Sequence, residues 1–137
     1  MADLTVAAAN VVADYQAKIK SGEAGEALSA GDTIYIKASA SDELWLAKHD
    51  GTAVEAVAVG IVLADAADGE TVSYITEGEL ALGSVLTAGV VYGLSATYGA
   101  VAPITDTGSG DYVTVLGVAK SAGTLQVKII VSGATLA

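Results

Sequence analysis

The sequence predicts an all-β chain: a small β-barrel or β-sandwich built from two pseudo-repeated β modules, with an N-terminal arm outside them. Three observations predict it. First, short motifs recur in the same order. Leu28-Ser29-Ala30-Gly31 with Tyr35 returns as Leu86-Thr87-Ala88-Gly89 with Tyr92, and Ala58-Val59-Gly60-Ile61-Val62 returns as Val115-Leu116-Gly117-Val118-Ala119. Thr71-Val72-Ser73-Tyr74 returns as Thr124-Leu125-Gln126-Val127. Gly31 to Gly89 is 58 residues (89 − 31), Gly60 to Gly117 is 57 (117 − 60), and Thr71 to Thr124 is 53 (124 − 71). Self-similarity at a nearly fixed spacing is the signature of a duplicated unit. Second, 16 glycines stand against one proline, a mixture that suits short strands joined by tight turns. Third, hydrophobic residues make up 53% of the chain, yet Phe is absent and aromatics are only 5%. Val, Leu, Ile and Ala therefore build the core, and side chains of that size favour thin, closely spaced layers.

The elements follow in order. Residues 1–24 form an N-terminal arm and first strand; residues 25–137 form the β domain, with modules at about 25–77 and 83–131. Residues 4–12 are alanine-rich and could open as a short helix with Asp3 as its cap, or stay a loose arm. From Val11 onward Val11, Ala13, Tyr15, Ala17 and Ile19 alternate with Val12, Asp14, Gln16, Lys18 and Lys20, which predicts a strand over 11–20. Residues 33–37 and 43–47 read as a hairpin around a small polar turn. The Asp50-Gly51 pair makes the next turn, and 54–63 reads as one long apolar strand carrying Gly60. Strands at 70–75 and 78–82 complete the first module.

The second module repeats the plan with shorter loops, in strands at 90–94, 101–104, 111–119 and 124–131. Pro103, lacking an N–H, belongs on an edge strand. Gly60 and Gly117 fall at matching points of the longest strands, where glycine marks a bulge or bend that curls a sheet.

Charge and composition exclude several classes of function. The net charge is −10, from 16 acids and six bases, and every base is lysine. Phosphate and nucleic-acid sites lean on the guanidinium fork, so no nucleic-acid partner is expected. With no cysteine there is no disulfide, thiol chemistry or cysteine-held metal. The start, Met1-Ala2-Asp3-Leu4, lacks a basic signal region, and no apolar run reaches the ~18 residues of a membrane span. A soluble chain without a membrane partner is the expectation.

Catalytic chemistry finds little footing. His49 lies beside Asp50 in a turn, and no G-x-S-x-G elbow exists to hold a nucleophile, so His49 is expected to be an exposed loop residue. Asp65 and Asp68 flank one turn, and Asp106 and Asp111 flank Gly108-Ser109-Gly110, without the D-x-D-x-D-G spacing of a calcium loop. Gly22-Glu23-Ala24-Gly25 lacks the lysine and helix of a phosphate loop. Trp45 and the six tyrosines are scattered on strands and read as core or interface residues. No catalytic residue, metal site or cofactor is expected, and the chain reads as a structural or binding protein. The candidate partner or oligomer contacts are Leu4, Val6, Val11, Val12 and Tyr15, an apolar load on a segment that the repeat does not need.

The run Gly22-Glu23-Ala24-Gly25-Glu26-Ala27-Leu28-Ser29-Ala30-Gly31-Asp32 through Ile36 resembles the small capsid decoration proteins of tailed bacteriophages, also called cement or head-stabilisation proteins. So do Ala58-Val59-Gly60-Ile61 through Gly69, and Ser109-Gly110-Asp111-Tyr112-Val113 through Val118. The resemblance covers most of residues 22–133. It implies a compact β domain that binds the outer surface of a phage head as a homo-oligomer, a trimer being favoured over a dimer, with the major capsid protein as its partner. It implies a virion location after synthesis in the host cytoplasm, and it transfers no site residue. Two other readings stand beside it: a phage tail, fibre or other receptor-binding β module, and a cellular enzyme or small-ligand protein.

Overall fold

A computed structural model describes residues 3–38 and 41–137 of the chain. Among these residues ten strands form one curled antiparallel sheet: β1 (Val12–Ala13), β2 (Lys18–Glu23), β3 (Thr33–Lys37), β4 (Glu43–Leu46), β5 (Ala58–Val62), β6 (Thr71–Ala81), β7 (Val91–Leu94), β8 (Val101–Pro103), β9 (Tyr112–Ala119) and β10 (Thr124–Thr135). The order across the sheet is β4-β3-β5-β6-β10-β9-β7-β8, with β1 and β2 paired to β6. Read inward from its two ends, that order is the same scheme twice: hairpin, third strand, then a long strand. The two long strands, β6 and β10, meet in the middle as an antiparallel pair.

Register makes the duplication explicit. In the first module Ile34 faces Leu46 on one side and Gly60 on the other. In the second, Tyr92 faces Pro103 and Gly117. Each module then slips by one residue at the same place: Tyr35 pairs with Ala58, skipping Val59, and Gly93 pairs with Val115, skipping Leu116. Such a bulge adds twist and bends the strand, which is how a short sheet curls over its core. The turns before β3 and β7 also match. Gly31 (φ +95°) and Gly89 (φ +84°) both take a positive φ, and their N–H groups donate to Val62 O and Ala119 O, each at 2.8 Å. A four-residue turn with positive φ at its third position favours glycine there.

Two parts of the sequence match are out of register. Tyr92 corresponds to Ile34 and not to Tyr35, because Ile34 and Tyr92 are the residues that face Gly60 and Gly117; Tyr35 corresponds to Gly93. The third match is off by two residues. Val62 pairs with Tyr74 and Ala119 pairs with Leu125, so Tyr74 corresponds to Leu125 and not to Val127. The β9–β10 connection is the shorter one, and a shift of two leaves every side chain on its original face.

Several strand limits also change. The predicted 54–63 strand becomes a 3-10 turn (Val54–Ala56) followed by β5. Thr52 N–H donates to Glu55 Oε1 (2.9 Å) while Glu55 N–H donates to Thr52 Oγ1 (3.4 Å), and this reciprocal cap commits the backbone to a helical turn. The predicted strands 70–75 and 78–82 fuse into β6, which runs through Gly78 at φ +108°. A Cβ at Gly78 would lie 2.6 Å from Ala17 Cα, so its absence lets the N-terminal segment lie against the strand. The predicted 11–20 strand breaks into β1 and β2 at Gln16 (φ +57°), and residues 8–10 make a single 3-10 turn. Pro103 lies on β8, at one end of the sheet. Residues 39 and 40 of the first hairpin turn lie outside the described residues.

The main core joins both modules: Tyr35, Ile61, Ile75 and Leu80 pack with Tyr92, Leu116, Leu125 and Val127. A smaller cluster in the first module gathers Leu28, Ile34, Leu44, Val62, Val72 and Tyr74. At about 1.5–3 kcal/mol for each fully buried aliphatic side chain, these clusters are the main stabilising term of the fold. Tyr35, Tyr74 and Tyr92 are buried among the aliphatic residues.

Candidate interaction surface

The N-terminal segment is a strap fastened at both ends. At its start Leu4 N–H donates to Val101 O (2.8 Å), and the Asp3 carboxylate accepts the hydroxyl hydrogen of Ser95. Ser95 Oγ also accepts from Thr97 N–H at 3.0 Å, so the hydroxyl ties the strap to the 95–97 turn. At the strap's other end β1 and β2 pair with β6, Asp14 N–H donates to Glu79 O (2.8 Å), and Glu79 N–H donates back to Tyr15 O (3.0 Å).

This anchoring divides the five candidate contacts. Leu4 and Val6 pack against the main core, Val6 beside Gly31, and Val11 is only 7% exposed. These three cover the body of their own chain. Val12 (56% exposed), Tyr15 (65%) and, beyond the five, Ile19 (53%) stand open to solvent. The predicted alternation placed Val11, Tyr15 and Ile19 on one face. β1 ends at Ala13 and the chain turns at Tyr15 and the left-handed Gln16, so the alternation does not carry through and Tyr15 and Ile19 do not follow Val11 inward.

Val12 belongs to a broader outer face. It lies in a cross-strand row with Ala81 and Thr124. Two residues along, on the same face, Glu79, Gln126 and Val118 form the next row. The inward face between them carries Leu80, Leu125 and Ala119, all buried. Lys120 Nζ bonds Glu79 at 2.7 Å and Lys18 Nζ meets Glu77 at 3.1 Å, so carboxylates of this face are partly neutralised. Exposed pairs of this kind contribute only about 0–1 kcal/mol to stability. Val12, Tyr15 and Val118 are thus exposed apolar side chains on a face that also carries paired charges.

His49 is buried at 3% exposure, and the expectation of an exposed loop residue is corrected. Its N–H donates to Ser95 O (3.0 Å) and its carbonyl accepts from Tyr112 N–H (2.8 Å), so the second module closes over it. The ring Nδ1 lies 3.2 Å from Asp111 Oδ2 without hydrogen-bond geometry. The opposed carboxylates of the turns serve the backbone: Asp65 Oδ1 accepts from Ala30 N–H (2.9 Å) and Asp111 Oδ2 from Gly108 N–H (2.8 Å). Neither the Asp3–Ser95 fastening nor the burial of His49 has a local sequence signal, because both depend on contacts between distant segments. Comparison with protein-family models and with curated proteins gives no match for this chain.

Proposed function

We propose that this chain is a structural virion protein that binds the outer surface of a tailed-phage head, as a homo-oligomer bridging neighbouring major capsid subunits. The observation that carries the proposal is the strap: Leu4, Val6 and Val11 anchor it, while Val12, Tyr15 and Ile19 are held outward on a rigid sheet. Ordered apolar side chains presented in this way are available to a partner without the cost of folding a tail on contact. The resemblance of residues 22–36, 58–69 and 109–118 to capsid decoration proteins names the partner class.

The physics suits that role. A pressurised shell is strengthened by many rigid clips across its joints, and linked weak contacts add up to a tight grip. The acidic surface stays outside, away from the packaged DNA. The direct test is cryo-electron microscopy of purified particles, together with add-back of this protein to heads that lack it. Density on the outer head surface, and heads that resist heating better after add-back, are the expected results. Density on the tail or its fibres would replace this reading with a receptor-binding one.

A further inference from the structure

A second feature lies away from the strap. Tyr35, Trp45 and Tyr98, with Glu26, Glu55 and Lys37, line a cleft of about 240 Å³, which continues past Tyr35 and Glu55 into a neighbouring depression of about 490 Å³. We propose that this cleft binds an uncharged saccharide, one ring seated among the aromatic side chains and the next along the depression.

The lining is preorganised. Glu55 accepts from Thr52 N–H (2.9 Å) and from Tyr98 OH (2.7 Å), and these bonds hold its carboxyl below the usual glutamate range. Glu26 accepts from Leu46 N–H at 3.0 Å. The Trp45 indole lies so close to Gly25 that an added Cβ there would overlap Nε1. Ammonium groups cap two of the rings: Lys37 Nζ is 4.3 Å from the Trp45 ring centre, and Lys48 Nζ is 4.3 Å from that of Tyr98.

This arrangement selects the class of ligand. A cation would meet Lys37 and Lys48 already seated on the ring faces. An anion would meet Glu26 and Glu55. An uncharged ring with C–H faces and hydroxyls uses everything present: aromatic planes to pack against, carboxylates to accept, and flexible lysines that swing aside to donate. Tyr35 also belongs to the main core, but the duplication argues that the scaffold does not require an aromatic pair at this position. Tyr35 faces Trp45 across β3 and β4, whereas the equivalent pair across β7 and β8 is Gly93 and Ala102. The same backbone site folds without an aromatic pair in the other module.

Trp45 is the only tryptophan, so its emission reports the cleft directly. The test titrates the intact protein with neutral oligosaccharides (maltohexaose, cellohexaose, mannohexaose and chitohexaose), and with sialyllactose and spermine as charged comparators. A saturable change in emission with at least one neutral sugar is expected. Tyr98→Ala should weaken that binding at least tenfold while the variant remains folded, and Tyr15→Ala on the strap should leave it intact. No response to any neutral sugar, equal affinity in Tyr98→Ala, or binding of only sialyllactose or spermine would each overturn the proposal. The outcome is independent of head binding, which Tyr15 and not Tyr98 is placed to affect.

Discussion

Gly60 and Gly117 occupy the same place in the two modules, and each has a neighbouring strand where a side chain would have to go. A Cβ on Gly60 would lie 2.6 Å from Ile75 O, and one on Gly117 would overlap Gln126 O. Neither glycine has a positive φ, so a close approach of backbone, and not a strained dihedral, reserves both sites for glycine. Gly117→Ala and Gly60→Ala should each destabilise by about 1–3 kcal/mol, the usual range for overpacking. Chemical denaturation of the two variants checks this, and an unchanged midpoint in either would remove the close-approach explanation at that position.

Gly31 and Gly89 are conserved between the modules for the other reason. A Cβ on Gly89 would meet nothing within 4 Å, so only its φ of +84° resists substitution. Gly89→Ala should cost about 1–2 kcal/mol from the left-handed backbone. Gly89→Asn should recover much of that loss, because asparagine tolerates this region. The same asparagine at Gly117 should recover nothing, and thermal melts of the four variants separate the two mechanisms.

This contrast explains what was legible in the sequence. The all-β class, the two modules and the glycine equivalences could be read because backbone geometry favours glycine strongly at those points. The two-residue slip at Tyr74 and Leu125 was invisible, since both alignments keep the same faces. Tyr15-Gln16 carries no turn chemistry, so the break between β1 and β2 could not be seen in the 11–20 alternation. His49 looked like a loop residue because its cover, Ser95 and Tyr112, comes from the other module. The aromatic cleft likewise needs Tyr98 folded back onto Glu55, a contact that the sequence does not announce.

Two carboxylates should make stability depend on pH in opposite directions. Burial pushes the Asp32 carboxyl above its ordinary value of 3.8; the Ser29 N–H opposes the shift, and nearby Asp65 and Glu26 add to it. With its pKa raised on folding, Asp32 favours the native state below pH 3.8, and that contribution is lost as pH rises through the folded value. Asp32→Asn keeps an acceptor for Ser29 and cannot ionise. Its melting temperature relative to the parent should therefore improve between about pH 3 and pH 7.

Glu55 behaves in the reverse sense. The Thr52 N–H, with help from Tyr98 OH, lowers its pKa below the ordinary 4.5, so its contribution is present above pH 4.5 and is lost as pH falls through the lower folded value. Glu55→Gln should lose stability relative to the parent at about pH 7 and approach it near pH 3. The site is exposed enough that the effect will be small. Melts of both variants across this range test the signs, and a same-sign response would show that one of the two environments is misassigned.

The strap makes the last prediction, because folding and association should separate along it. Val11→Ala removes two methyl groups from the core and should cost about 1–3 kcal/mol; Leu4→Ala, partly buried, should cost less. Removal of residues 2–12 should destabilise the body more than either, since it discards the Asp3–Ser95 and Leu4–Val101 fastenings with their apolar cover. Val12, Tyr15 and Ile19 are held in place by backbone pairing and project away from the core. Replacing all three with serine should change stability by less than about 1 kcal/mol, the range of surface substitutions. The same triple variant should lose self-association in light scattering and attachment to heads in the add-back assay. If it melts normally and still assembles and binds heads, the outward face of the strap is not the contact. If it fails to fold, these side chains support the body after all, and the partner surface must lie elsewhere on the sheet.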